Sequence, residues 1–148
     1  MLTIKNLFVL FHVVTAAGWF GIAILLGRIA RAAAVSSSGD AVREIGAKAV
    51  SLTGIFAVLT FLFGLAAFLI GGGFGAYGPE YHTSLLFMLV LVGIQFFVIR
   101  PAWGTVAADG DEETRQAARK RLAMSVGAGH LIWLFVLVLM LARYYPVM

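Results

Sequence analysis

Four long apolar runs, separated by short polar or basic stretches, limit what this chain can fold into. The first runs from Leu7 to Gly27, the second from Ala49 to Ile70, the third from about Thr83 to Ile99 and the fourth from Leu122 to Ala142. Each is close to the ~20 residues that cross a ~30 Å hydrocarbon core at about 1.5 Å per residue. A backbone in lipid must satisfy its own hydrogen bonds, which helices and closed barrels achieve. The runs lack the two-residue alternation of barrel strands and therefore read as helices. The expected fold is an all-α integral membrane four-helix bundle. It forms a single domain over residues 1–148, with spans at about 4–27, 49–70, 82–100 and 122–144.

Composition agrees with this reading. Hydrophobic residues make up 61% and charged residues 12%, against roughly 45–50% and about 25% in soluble domains. A soluble chain of this size has no way to hide so much apolar surface, so the lipid bilayer is the expected partner. Small residues at Ala32, Ala33 and Ala34 would also suit a signal-peptide cleavage site. At about 21 residues, however, the first run exceeds the roughly 7–15 of a signal-peptide core and reads as a span.

The charges are unevenly placed. Arg28, Arg31, Arg43 and Lys48 lie between the first two runs, and Arg100, Arg115, Arg119, Lys120 and Arg121 between the last two. The middle connection, Gly71 to His82, has no Lys or Arg. Positive-inside bias puts both basic connections in the cytoplasm and both termini outside. The net charge of +4 thus reads as orientation. No base-reading motif accompanies it, and no nucleic-acid partner is expected. Between Asp109 and Leu122 a partly helical segment is expected. Asp109 or Asp111 would cap its start, and Asp111 stands four residues before Arg115 in the favourable order. The glycine-rich middle connection reads as an interfacial turn, with Tyr77 and Tyr81 in the outer aromatic belt and Trp103 in the inner one.

The absence of cysteine excludes disulfides, CxxC redox chemistry, iron–sulfur ligation and thiolate metal sites. Met88, Met124 and Met140 are scattered, whereas copper handling needs clustered soft ligands.

Helical periodicity selects the inward faces. On the first helix Lys5, Phe8, His12, Ala16, Trp19 and Ala23 form one stripe with a charge, an imidazole and an indole. Polar groups avoid lipid, so the stripe should face the bundle. On the second helix Gly54, Ala57, Thr60 and Gly64 share a broad face of small residues, suited to close packing or to a flat ligand. On the third, Ser84, Met88, Leu91 and Gln95 align, with His82 turned the other way near the outer end. On the fourth, His130 aligns with Gly127, Leu134 and Leu137, with Trp133 at the edge.

Two of the three histidines, His12 and His130, fall deep within apolar runs. A buried imidazole needs a partner, and intramembrane ionisable residues mark functional sites. Neutral imidazole is also the usual axial ligand of haem b, which suits the interior of a helical bundle. Hydrogen bonding to a neighbouring helix is the plainer explanation of each. His12 is expected about 12 Å below the outer end of its helix and His130 about 21 Å below, at 1.5 Å per residue. Met88 is nearer to His12 in depth, so a His–Met pair, a bis-histidine pair, single ligation and two haems all stay open.

The stretch FHVVTAAGWFGIAILLGRIARAA resembles the opening helix of a group of small bacterial membrane proteins. The group includes HemJ-type protoporphyrinogen oxidases and CopD-like domains, in which a histidine precedes a Trp and a Gly; His12, Trp19 and Gly21 fall on that pattern. The resemblance extends loosely over the four spans. It implies haem b bound through His12 and a functional lysine early in the third helix. There this chain reads YHTSLLFMLV, with Ser84 near the lysine position. Lys5 is the one candidate replacement on the stripe.

Together these features lead to the expectation of a haem b-binding bundle of a bacterial inner membrane, engaged in electron transfer or haem-dependent redox chemistry. His12 and His130 are the expected iron ligands, Met88 a further candidate, and Trp19, Trp133 and Gly127 the pocket walls. A homodimer would help to enclose the cofactor, and a quinone or redox protein would be its electron partner. A HemJ-like oxidase and a cofactor-free subunit or small-molecule carrier are the alternatives.

Overall fold

The computed structural model describes residues 3–33 and 39–142. They form four long helices: α1 (Ile4–Ala32), α2 (Gly39–Ile70), α3 (Pro79–Ala107) and α4 (Glu112–Ala142). Each is long and apolar enough to cross a membrane, and no strand occurs among the described residues. The last two residues of the expected fourth span lie outside the described residues.

Local sequence sets the helix starts. Thr3 accepts from the Asn6 N–H at 3.3 Å to cap α1. Pro79, whose missing N–H costs nothing in a first turn, opens α3. Asp111 caps α4 by accepting from the Thr114 N–H at 2.7 Å, and that bond holds its carboxyl below the usual carboxylate range. With Asp111 engaged as a cap, Arg115 pairs with Glu112 at 3.7 Å instead.

The helices outrun the apolar runs at the end of the bundle that carries the basic connections, the basic end. Helices α2 and α4 each begin about ten residues before their apolar run. Charged pairs line these extensions: Lys48 with Glu44 at 2.6 Å, Arg119 with Glu112, and Arg43 with Asp109 at 2.9 Å across the α3–α4 connection. Such exposed pairs contribute at most about 1 kcal/mol each.

Helix α3 widens into a π turn at Gln95–Ile99, where the Arg100 N–H bonds to the Gln95 carbonyl. Pro101 follows at once. It has no N–H, and its ring crowds the carbonyl four residues back, so a locally loosened ladder accommodates it.

Among the described residues, two clusters make the core. At the basic end, Leu26, Val106 and Leu122 are fully buried among Ala30, Ala49 and Ala102. Trp103 belongs here as well. It is 4% exposed rather than part of an interfacial belt. The reason is Gly46: a Cβ there would lie 2.0 Å from the Trp103 ring, so the bare glycine is the slot that admits the indole. Towards the opposite end, Trp19, Ala57, Met88, Leu91 and Val136 form the second cluster.

The loop closing that end is more than an interfacial turn. Gly72 and Gly73 adopt φ of 107° and 59°, open to glycine at little cost. They turn the chain into a 3-10 segment, Gly73–Gly75. Phe74 then packs back on Phe68 at 5.0 Å and on His82 at 4.9 Å, while Tyr77 stacks on Phe68 at 5.3 Å. His82 is therefore half-buried under loop aromatics.

Candidate functional site

The expected inward faces of α1, α2 and α3 are the packed ones. Trp19 and Ala23 are buried on α1, Gly54, Ala57 and Thr60 on α2, and Ser84, Met88, Leu91 and Gln95 on α3. Helix α4 differs. Its inward residues are Leu122, Val126, Trp133, Val136 and Met140. Leu134 and Leu137 are 46% and 38% exposed. Gly127 is exposed too, with open space where a Cβ would stand, and it does not share a cleft with His130.

His12 is fixed from α2. Its Nδ1 lies 2.7 Å from the Thr60 carbonyl oxygen. A carbonyl only accepts, so Nδ1 carries the proton and Nε2 keeps its lone pair. Gly64, one helical turn beyond Thr60, makes the approach feasible: a Cβ there would meet Nδ1 at 2.7 Å. A hydroxyl chain runs beside it. Thr60 Oγ1 donates to Thr15 Oγ1 at 3.1 Å, and Thr15 Oγ1 donates to the Phe11 carbonyl at 2.7 Å. These bonds satisfy two hydroxyls that α1 and α2 bury together. His12 Nε2 has no hydrogen-bond partner among the described residues.

A partly open cleft of about 350 Å³ runs beside the His12 ring, lined also by Thr60, Tyr81, Met88, Trp133 and Met140. A recess of about 30 Å³ extends it past Gly64 and Phe68.

His130 occupies a different place. Its Nδ1 lies 2.7 Å from the Val126 carbonyl of its own helix, and its Nε2 is buried without a partner among the described residues. The ring stands edge-on to Phe20 at 4.8 Å, in a small pocket of about 20 Å³ with Trp19, Phe20 and Trp133. Phe20 is eight residues beyond His12, about 12 Å along α1. The structure thus gathers His12 with Met88 and His130 with Trp19, and Trp133 borders both groups. Lys5 stands 5.3 Å over the Tyr77 ring and does not line the His12 cleft. Ser84 is fully buried and donates to the Glu80 carbonyl at 2.7 Å.

Sequence reasoning missed Thr15, Tyr81 and Met140 as neighbours of His12. Thr15 was the findable one, a hydroxyl one turn from the imidazole on an apolar helix. Tyr81 and Met140 reach the cleft from other helices, and no local pattern marks them. Among the described residues no three His, Cys, Asp or Glu side chains converge. Comparison with known proteins finds no match for the chain, whether to a protein-family model, a curated protein or a solved structure.

Proposed function

We propose that this chain is a haem b-binding protein of a bacterial inner membrane, serving electron transfer or haem-dependent redox chemistry, with His12 as axial ligand. The observation that carries the reading is His12 Nε2, which has no hydrogen-bond partner among the described residues and stands beside the cleft, while Nδ1 is held 2.7 Å from the Thr60 carbonyl. The Thr60 contact alone is what hydrogen bonding to a neighbouring helix gives. A histidine that ligates iron typically ties its second nitrogen to a carbonyl or carboxylate, which fixes tautomer and ring orientation and leaves Nε2 as the donor. The bound haem would supply one-electron iron chemistry.

The donor set fits a haem. Haem iron brings its own in-plane ligands and asks the protein for one or two axial donors. His12 faces a cleft that holds two thioethers, Met88 and Met140, and an indole wall from Trp133. Gly64 leaves the imidazole room to approach α2. His130, in its own pocket, is the second candidate ligand. The oxidase reading gains no lysine in this cleft, since Lys5 is engaged on Tyr77. The positive-inside bias of the basic end supports a cytoplasmic location for it, with the glycine loop and both termini outside.

The test is the absorbance spectrum of protein purified from haem-replete cells. A Soret band is expected, and His12→Ala should lose most of it while still inserting. A colourless wild-type protein would move the assignment to a cofactor-free subunit or carrier. A normal spectrum and haem stoichiometry in His12→Ala would remove His12 from the site.

A further inference from the structure

The seam between α2 and α3 opens, beside the Trp103–Gly46 contact, into a groove of about 600 Å³. Ile55, Val58, Leu59 and Phe96 give it apolar walls, and Gly54 and Gly104 give it width. It is a different site from the His12 cleft, and two of its polar groups are incompletely matched.

Gln95 is 2% exposed and lines the groove. Its Nε2 donates to the Val50 carbonyl and to Thr53 Oγ1, both at 3.0 Å. The Val50 carbonyl only accepts, so the amide has one sense and cannot be turned round. Oε1 is then left buried with no donor among the described residues. Leaving such an acceptor unmatched is unfavourable, and it marks a position where an O–H or N–H belongs.

Arg100 and Trp103 line the same groove. The π turn bonds the Arg100 N–H to the Gln95 carbonyl, so residue 100 follows residue 95 by a single widened turn. Side chains lean towards the helix N-terminus, which sends the guanidinium back in the direction of Gln95. Arg100 is exposed and has no ion pair among the described residues. The Trp103 Nε1–H is a buried donor without an acceptor among the described residues.

An occupant matched to these groups has an O–H for Gln95, an oxygen that accepts from Arg100 or Trp103, and an apolar body. The ester region of a phospholipid offers acceptors alone and leaves Gln95 unmatched. We propose that the α2–α3 groove binds a p-quinol with an apolar tail, one hydroxyl donating to Gln95 Oε1 and the far oxygen accepting from Arg100 or Trp103. The oxidised quinone has carbonyls at both positions, and both Gln95 N–H groups are already used. The groove therefore prefers quinol to quinone. Gln95 and Met88 share one face of α3, seven residues or about 10 Å apart, which sets the quinol site close to the His12 cleft. Quinol binding does not itself require haem.

The test uses the full chain in phosphatidylcholine nanodiscs without oxygen, with decylubiquinone as a quencher of tryptophan fluorescence and decylubiquinol as its competitor. Saturable quenching is expected, with the quinol about tenfold tighter than the quinone, the ratio that one hydrogen bond supports. Gln95→Leu should bring that ratio close to one, and Gly54→Leu should weaken both ligands by filling the groove. Arg100→Gln, which leaves the Gln95 bonds intact, should weaken the quinol and stands in if Gln95→Leu does not fold. Absence of saturable quenching, equal affinity for the two redox states in the wild type, or displacement by phosphatidylglycerol but not by quinol would overturn the proposal. Haem content, measured on the same samples, separates this proposal from the His12 reading: quinol selectivity in colourless protein removes the latter alone.

Discussion

At the basic end of the bundle, Trp103 fills the slot over Gly46 while Leu26, Val106 and Leu122 are sealed among alanines. Towards the glycine loop, the same four helices separate around His12 and leave a cleft of about 350 Å³ beside it. Both regions use glycine to admit a ring, Gly46 for an indole and Gly64 for an imidazole. At Gly46 the ring fills the slot left by the missing side chain, beside the α2–α3 groove. At Gly64 the ring is held by one nitrogen, and its other nitrogen stays free beside a cleft. The two rings differ in the polar atom they leave over, a buried N–H donor on Trp103 and a ring-nitrogen lone pair on His12.

The most severe way to break the comparison is at the Trp103–Gly46 contact. Trp103→Ala should destabilise by about 3–5 kcal/mol through the cavity it leaves, measured by unfolding in detergent. Gly46→Ala should cost about 1–3 kcal/mol, because its Cβ meets the ring. In the Trp103→Ala background that second cost should vanish. Additive costs would show that Gly46 matters for another reason.

At the open end, Gly64→Ala should displace the His12 ring with little change in unfolding. Haem content should fall several-fold, read from the Soret band relative to total protein. If the band is unaltered, the Thr60 contact does not orient the ligand.

A milder pair of variants separates the two histidine groups. Met88→Leu should shift the reduced spectrum and lower the potential if the Met88 thioether ligates iron. If His12 and Met88 hold the iron, His130→Ala should leave spectrum and haem content nearly unchanged, since His130 lies in the pocket of Phe20. Loss of colour in His130→Ala would join the two groups into one site.

The smallest effect is expected outside the apolar core. Asp111→Ala removes the α4 cap and should lower the melting temperature slightly. The Asp111 carboxyl is held below its ordinary range in the folded chain. Its contribution is therefore present above that range and is lost as the pH falls through the lowered value. A wild-type minus Asp111→Ala difference that persisted in acid would place the effect elsewhere.

Sequence alone determined four helices long and apolar enough to cross a membrane, because a run of about 20 apolar residues has few other folded states. It also pointed to inward faces of α1, α2 and α3, since each carries a stripe of polar or small residues, although Thr15 and Thr53 are buried beside those stripes. Helix α4 offered no such guide. Its apolar residues surround it, so the face that turned inward was decided by packing, and Gly127 ended outside. Depth arithmetic separated His12 from His130, but tertiary structure decided their partners: Thr60 and Met88 come to His12 from α2 and α3, and Phe20 comes to His130 from α1. Trp103 looked interfacial by position and became core because a glycine 57 residues earlier faces it. The reason is common to all of these. Transfer out of water depends on the composition of a segment and is written locally. Contact between segments depends on which surfaces leave space for one another, and no single segment contains that information.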